Sequence, residues 1–217
     1  THCISSAASD VYKRQRFKVV KILVATGNQG KLKEIRSLLE GSPIEIVGLN
    51  QLVDPPEVIE DGDTFTANAC KKAQEMAQFS GYLTLADDSG LVVDALGGAP
   101  GVFSARYAGE QCDDADNNVK LLEKMSGVAD SHRQAAFHCV VALAWPDGRC
   151  ETYDGQVSGL IMRAARGDGG FGYDPIFMVP EYGKTMAEIS LEIKNRISHR
   201  GTALRKVIPL LQKLANQ

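Results

Sequence analysis

Three short stretches carry side chains whose types and spacing suit phosphate and metal chemistry. Thr26-Gly27-Asn28-Gln29-Gly30-Lys31 places two glycines and a lysine where an apolar run ends and a helical pattern begins. Backbone N–H groups at a helix N-terminus attract anions, and an adjacent ammonium adds a full positive charge. The stretch is too short for the P-loop motif, and Leu32 follows the lysine where that motif needs Ser or Thr. Asp87-Asp88-Ser89-Gly90 follows another strand-like run and offers two carboxylates and a hydroxyl at its expected end. Adjacent carboxylates repel unless a cation lies beside them, and Mg²⁺ prefers one or two carboxylates together with substrate phosphates. Glu57, Glu60, Asp61 and Asp63 lie in a proline-containing loop that would either complete such a metal site or merely solvate it. Each stretch also has a plainer explanation: a strand-to-helix turn with a solvated lysine, or Asp and Ser capping a turn.

Two further clusters suit a purine. GGFGYDPIF combines a glycine loop with the aromatic rings of Phe171 and Tyr173, and Lys194 to Arg200, including His199, forms a basic group opening the last helix. Aromatic and guanidinium planes beside fixed donors suit a base pocket. Core packing of Phe171 and Phe177, and a solvated helix start, are the structural alternatives. Three apparent motifs fail on their surroundings. Gly167 to Gly172 matches GxGxxG, but an extended run follows where the dinucleotide fingerprint needs a helix. Asp114, Asp116 and Asn118 open like a calcium loop, yet Val119 and Met125 occupy the glycine and glutamate positions. His138 lies in an alternating strand and reads as a packed histidine.

These residues require a scaffold of strands and helices. The run from Val19 is short and β-branched, like a strand buried on both faces, and Leu32, Ile35, Leu38 and Leu39 predict a helix over 30–40. PIEIVGL reads as a second strand, 50–62 as an irregular loop, 64–79 as a helix, and LTLADDSG as a strand running into a turn. A helix over 113–125 precedes a long antiparallel hairpin turning at Pro146-Asp147-Gly148. The C-terminal helix should kink at Pro209. The expected class is α/β, with a mixed sheet flanked by helices.

A net charge of −3, from 24 basic and 27 acidic residues without a long single-sign block, argues against a nucleic-acid polymer as partner. The 44% hydrophobic content suffices for a core, and no run approaches the roughly 20 apolar residues of a membrane helix. A cytoplasmic protein is expected. The five scattered cysteines form no CxxC pair and read as free thiols. Residues 1–16 lack apolar periodicity and are read as a disordered leader or added tail, leaving 17–217 as one catalytic domain.

In this order, TGNQGK, ADDSGL, GGAPGVFSARYAGE, GGFGYDPIF and ISHRG resemble the inosine/xanthosine triphosphate pyrophosphatase family of the bacterial dITP/XTP type, from about Val19 to the last helix. The resemblance implies Mg²⁺-dependent hydrolysis of dITP, ITP and XTP to the monophosphate and pyrophosphate. It also implies a homodimer and an elongated, two-lobed α/β fold with the active-site cleft between the lobes. It makes Thr26 through Lys31 the phosphate turn, Asp88 the proton acceptor and a metal ligand, and Glu60 the second metal ligand. Ser89, Phe171, Gly172, Tyr173, Asp174, Lys194, His199 and Arg200 match substrate-contacting positions. Ala67 departs from the pattern, because the family usually carries glutamate there. Lys31 is expected to stabilise the leaving pyrophosphate, while Asp87 remains an alternative for one of Asp88's two roles. The competing readings are a nucleotide-binding module without turnover and a Maf-like pyrophosphatase of other modified nucleotides.

Overall fold

Seven strands join in one mixed sheet of order β2-β1-β3-β4-β5-β6-β7 in a computed structural model that describes residues 19–216. The stretch read as a leader lies outside the described residues. β1 (Val20–Val24) pairs in parallel with β2 (Ile44–Gly48) and β3 (Leu83–Val93). β4 (Gln134–Ala144), β5 (Cys150–Ile161), β6 (Phe177–Val179) and β7 (Lys184–Thr185) extend the sheet antiparallel, the first two as the expected hairpin.

Helices cover both faces, which is why β1 is apolar on both. Ile22 and Val24 pack with α1 (Gln29–Leu39) and α5 (His199–Ala215), whereas Leu23 and Ala25 pack with α2 (Phe65–Ser80). α2 is capped by Thr64 and ended by Gly81 in the left-handed conformation. α3 (Asp114–Lys124) closes a second apolar cluster at the far end through Leu121. α5 runs on through Pro209. An interior proline costs about 3 kcal/mol, but Leu204, Val207 and Leu211 are fully buried, each worth about 1.5–3 kcal/mol, so packing wins.

Two expectations are corrected. Asp87 to Gly90 do not end a strand: β3 continues to Val93 because β4 supplies a pairing partner along the whole run, with Asp87 opposite Val141 and Asp88 opposite Val140. What ends there is the parallel neighbour, since β1 pairs with β3 only as far as Val24 with Leu85. The basic group near the C-terminus does not open one helix. It spans α4 (Leu191–Ile197) and the first turn of α5, separated by Ser198, whose hydroxyl accepts from the Gly201 N–H at 3.1 Å.

Candidate active site

Where β1 leaves the sheet, the bared flank of β3 opens onto a cavity of about 800 Å³. It is lined by Thr26, Gly27, Asn28 and Lys31, by the 56–61 loop with Glu60, by Asp88 and Ser89, and by Phe171 to Asp174, Lys194, His199 and Arg200. Distant segments thus converge on one space. Gln29 and Gly30, expected in the phosphate turn, do not line it.

The turn is built by its own residues. Asn28 caps α1, its Oδ1 accepting from the Lys31 N–H at 3.0 Å, and Asn28 N–H donates to Thr26 Oγ1 at 3.2 Å. Gln29 and Gly30, in the first turn of the helix, have amides without an intrahelical acceptor. A Cβ on Gly27 would meet no protein atom within 4 Å, so the backbone beside the cavity is open to close approach. Gly30 is needed for another reason: a Cβ there would lie 2.5 Å from the Phe171 ring. The Lys31 ammonium is not a free surface charge but lies 3.1 Å from Asp87 Oδ2.

Asp87 and Asp88 point to opposite faces, as successive strand residues must, so no cation is needed between them. Asp87 faces α1 and α5, where its Oδ2 accepts from Arg200 Nε at 3.1 Å. Arg200 also reaches Glu34 on α1, and donates from Nη2 to Ser89 Oγ at 2.8 Å. Lys194 joins Glu34 at 2.8 Å and Asp174 at 2.5 Å. Three cations, Lys31, Lys194 and Arg200, therefore match three anions, Glu34, Asp87 and Asp174. Burial opposes ionisation of Asp87, yet Lys31 and Arg200 prevail and hold its carboxyl far below the usual range. Glu34 is likewise lowered against its burial by Arg200 and Lys194.

Asp88 faces α2, where its Oδ2 accepts from Asn68 Nδ2 at 3.0 Å and its Oδ1 from the Ser89 N–H at 2.8 Å. Burial raises its carboxyl, and the Glu60 charge adds to the rise against the Asn68 bond. Glu60 itself pairs with Lys72 Nζ at 2.7 Å. Two mutually repelling carboxylates on one cavity are a donor set suited to a hard divalent cation. No group of three or more His, Cys, Asp or Glu that could hold a metal occurs among the described residues, so water or substrate oxygens would have to complete the coordination.

His199 and Phe137 stack with centroids 4.8 Å apart and both line the cavity. His199 Nδ1 is buried without a partner, and burial together with Arg200 and Lys194 keeps the imidazole neutral. Phe171 lies under two cations, Lys194 Nζ at 4.6 Å and Arg200 Cζ at 5.6 Å from its centroid. Tyr173 is buried, and its hydroxyl donates to Ser104 O at 2.8 Å, a fastening of two walls rather than a free stacking surface. His138, stacked on Phe65, packs structurally as expected. Cys70, Cys112, Cys139 and Cys150 are free thiols.

Several participants escape sequence reasoning: Glu34, Asn68, Lys72, Phe137, and Arg106, which donates to the Glu60 carbonyl at 3.3 Å. Glu34 left a trace, because it sits three residues after Lys31 and beside Ile35 on the buried side of α1. Asn68 and Lys72 share a face of α2 at a spacing of four. Arg106 lies within GGAPGVFSARYAGE, one of the stretches that carry the resemblance, whereas Phe137 left no trace.

The profile of the Ham1 family matches residues 22–210. The chain is 53% identical over 195 residues to a dITP/XTP pyrophosphatase of Desulforamulus reducens, covering 90% of this chain and 97% of that protein. Identity is also 53% over 186 residues to one of Geobacter sulfurreducens, covering 86% and 94%. A solved Ham1 protein from Coxiella burnetii superposes with a TM-score of 0.82 at 42% identity, covering 89% of this chain and 99% of that one. The Staphylococcus aureus Ham1 protein gives 0.79 at 40%, with the same coverage. With the profile spanning nearly all the described residues and identities above one half, the chain belongs to the Ham1 family.

Proposed function

We propose that this chain hydrolyses non-standard purine nucleoside triphosphates, dITP, ITP and XTP, to the monophosphate and pyrophosphate. The observation that carries this reading is the convergence on one cavity of an open helix N-terminus, a carboxylate pair and a neutral, unpartnered imidazole. The names of the relatives point the same way. Retention of Lys31, Glu60 and Asp88 around that cavity speaks against a binding module without turnover.

In this reading the α1 turn and Lys31 hold the phosphates and stabilise charge on the leaving pyrophosphate. Glu60 and Asp88 would hold Mg²⁺, which when bound neutralises triphosphate charge. The opposite shifts of the two aspartates favour Asp88 over Asp87 for taking a proton from the attacking water, through a carboxylate oxygen that does not ligate Mg²⁺. A base is most effective when its pKa approaches the working pH, and Asp87 is held ionised by two cations. His199, which lines the cavity, would read the base, and Phe137 supports its ring. Discrimination against ATP and GTP has to come from such bonds, because apolar exclusion yields only about 10- to 200-fold. Arg200 acts here mainly by fixing Asp87, Ser89 and Glu34. A homodimer, a cytoplasmic location and the two-lobed cleft belong to the same proposal; among the described residues no helix is long and apolar enough to cross a membrane.

The test is pyrophosphate release from ITP, XTP, dITP, ATP and GTP with and without Mg²⁺. Fast release from the first three, slow release from ATP and GTP, and loss of activity without metal are expected. Equal rates on all five, or undiminished rates in chelator, would overturn it.

A further inference from the structure

The first turn of α3 touches two walls of the cavity at once, yet neither the motifs nor the chemistry above uses it. Asp114 Oδ2 accepts from the Gly172 N–H at 2.6 Å, and Asn118 Nδ2 donates to the Gly172 carbonyl at 2.9 Å. Both polar atoms of one residue in the glycine loop are thus gripped from positions four apart on one helix face. Between them, buried Asn117 grips the opposite wall. Its Oδ1 accepts from the Ala108 N–H at 2.8 Å, and its Nδ2 donates to the Ala105 carbonyl at 3.2 Å. That second wall carries Arg106, whose guanidinium holds the Glu60 carbonyl. α3 itself is anchored in the distal core through Leu121 and does not move freely with either wall.

We propose that Asp114 and Asn118 are positioning residues that set the distance between the Phe171–Gly172 wall and the Arg106–Glu60 wall, and with it the fit of the substrate. Bonds to the backbone of Gly172 hold the Phe171 ring under Lys194 and so close to Gly30 that a Cβ there would lie 2.5 Å from it. Releasing the grip lets the loop sample other positions before substrate arrives, so the free enzyme must reorder it on binding. That cost falls on substrate binding and not on the later proton transfer at Asp88. The effect on catalysis rests on the proposed pyrophosphohydrolase reading, whereas the grip itself can be measured without it.

Asp114→Ala, Asp114→Asn, Asn118→Ala and the double alanine variant are compared with Asp116→Ala. Asp116 shares the same turn but closes a capping box with Asp113 and bonds to neither wall. Loss of one bond should raise the KM for ITP about three- to tenfold, the equivalent of one ordinary hydrogen bond, with kcat within about twofold. The double variant should fall short of the product of the singles, because both bonds end on Gly172. Asp114→Asn, whose side-chain oxygen still accepts, should restore KM, and Asp116→Ala should lower the melting temperature without moving KM. Amide exchange at Gly172 in the substrate-free protein should quicken in Asp114→Ala and not in Asp116→Ala. Unchanged KM with unchanged exchange, an Asp114→Asn variant as impaired as alanine, or equal KM losses in Asp116→Ala would each overturn the proposal. Should the wild-type chain hydrolyse none of the five nucleotides, the functional reading falls while the exchange measurement still decides whether the grip exists.

Discussion

Asp87 and Asp88 are neighbours in sequence and opposites in every physical respect. Asp87 is sealed on the α5 face against Lys31 and Arg200, and its carboxyl is driven down; Asp88 looks toward α2 and Glu60, and its carboxyl is driven up. One residue of translation along a strand turns the side chain to the other face, and each face supplies a different electrostatic environment. The first face is a balanced ionic block that holds β3, α1, α4 and α5 together. The second is a charge-frustrated edge on which chemistry is possible. An enzyme of this family thus separates the carboxylate that organises the site from the one proposed to react, although its sequence writes them as a pair.

Removing one carboxylate at a time breaks that comparison most directly. Asp87→Asn strips buried Arg200 and part-buried Lys31 of a partner, and breaking a buried ion pair from one side costs about 3–5 kcal/mol. Denaturant titration should show a loss of that order, and a variant as stable as wild type would refute the organising role. Asp88→Asn should leave the midpoint nearly unchanged, because burial already disfavours its charge, while turnover of ITP falls by roughly a hundredfold or more. Near-normal turnover in that variant would remove Asp88 from the chemistry.

Acid should separate Glu34 and Asp87 from Asp88 by sign, whereas burial raises Asp174 within the ionic block. Glu34 and Asp87 have lowered folded values, so their stabilisation is complete above their ordinary 4.5 and 3.8 and disappears as pH falls toward the folded values. Asp88 has a raised value, so its contribution declines as pH rises through the window above 3.8. The acid limb of kcat/KM for ITP should accordingly lie above pH 3.8 and move to lower pH with added Mg²⁺, which favours the ionised form. A limb that ignores Mg²⁺ would detach Asp88 from the metal. The smallest effect concerns Ala67, the N3 residue of α2, whose N–H donates to the Thr64 cap at 3.1 Å. Ala67→Glu should complete a capping box and stabilise by about 0.3–1 kcal/mol in thermal unfolding. A gain in turnover instead would place that carboxylate among the reacting groups.

Much of the site could be read locally. The turn at 26–31, the hairpin and the glycine loop each depend on residues within a few positions of one another, and local sterics and hydrogen bonding decide them. Five motifs in order also carried the resemblance to the family. The continuation of β3 through Asp87 to Gly90 was hidden, because polar residues in a strand are tolerated only when distant partners neutralise them. Those partners lie far along the chain: Arg200 is 113 residues from Asp87 and 166 from Glu34.

By itself, then, the sequence determined which residue types were available, where the turn proposed to hold phosphate would form, and to which family the chain is similar. Only the tertiary structure decided which face each carboxylate occupies, that the basic residues at 194 and 200 are buried ion-pair partners, and that α3 joins two walls of the cavity. The physical reason is that hydrogen bonds in turns and caps close over a few residues, whereas the fate of a buried charge depends on what the rest of the fold packs against it.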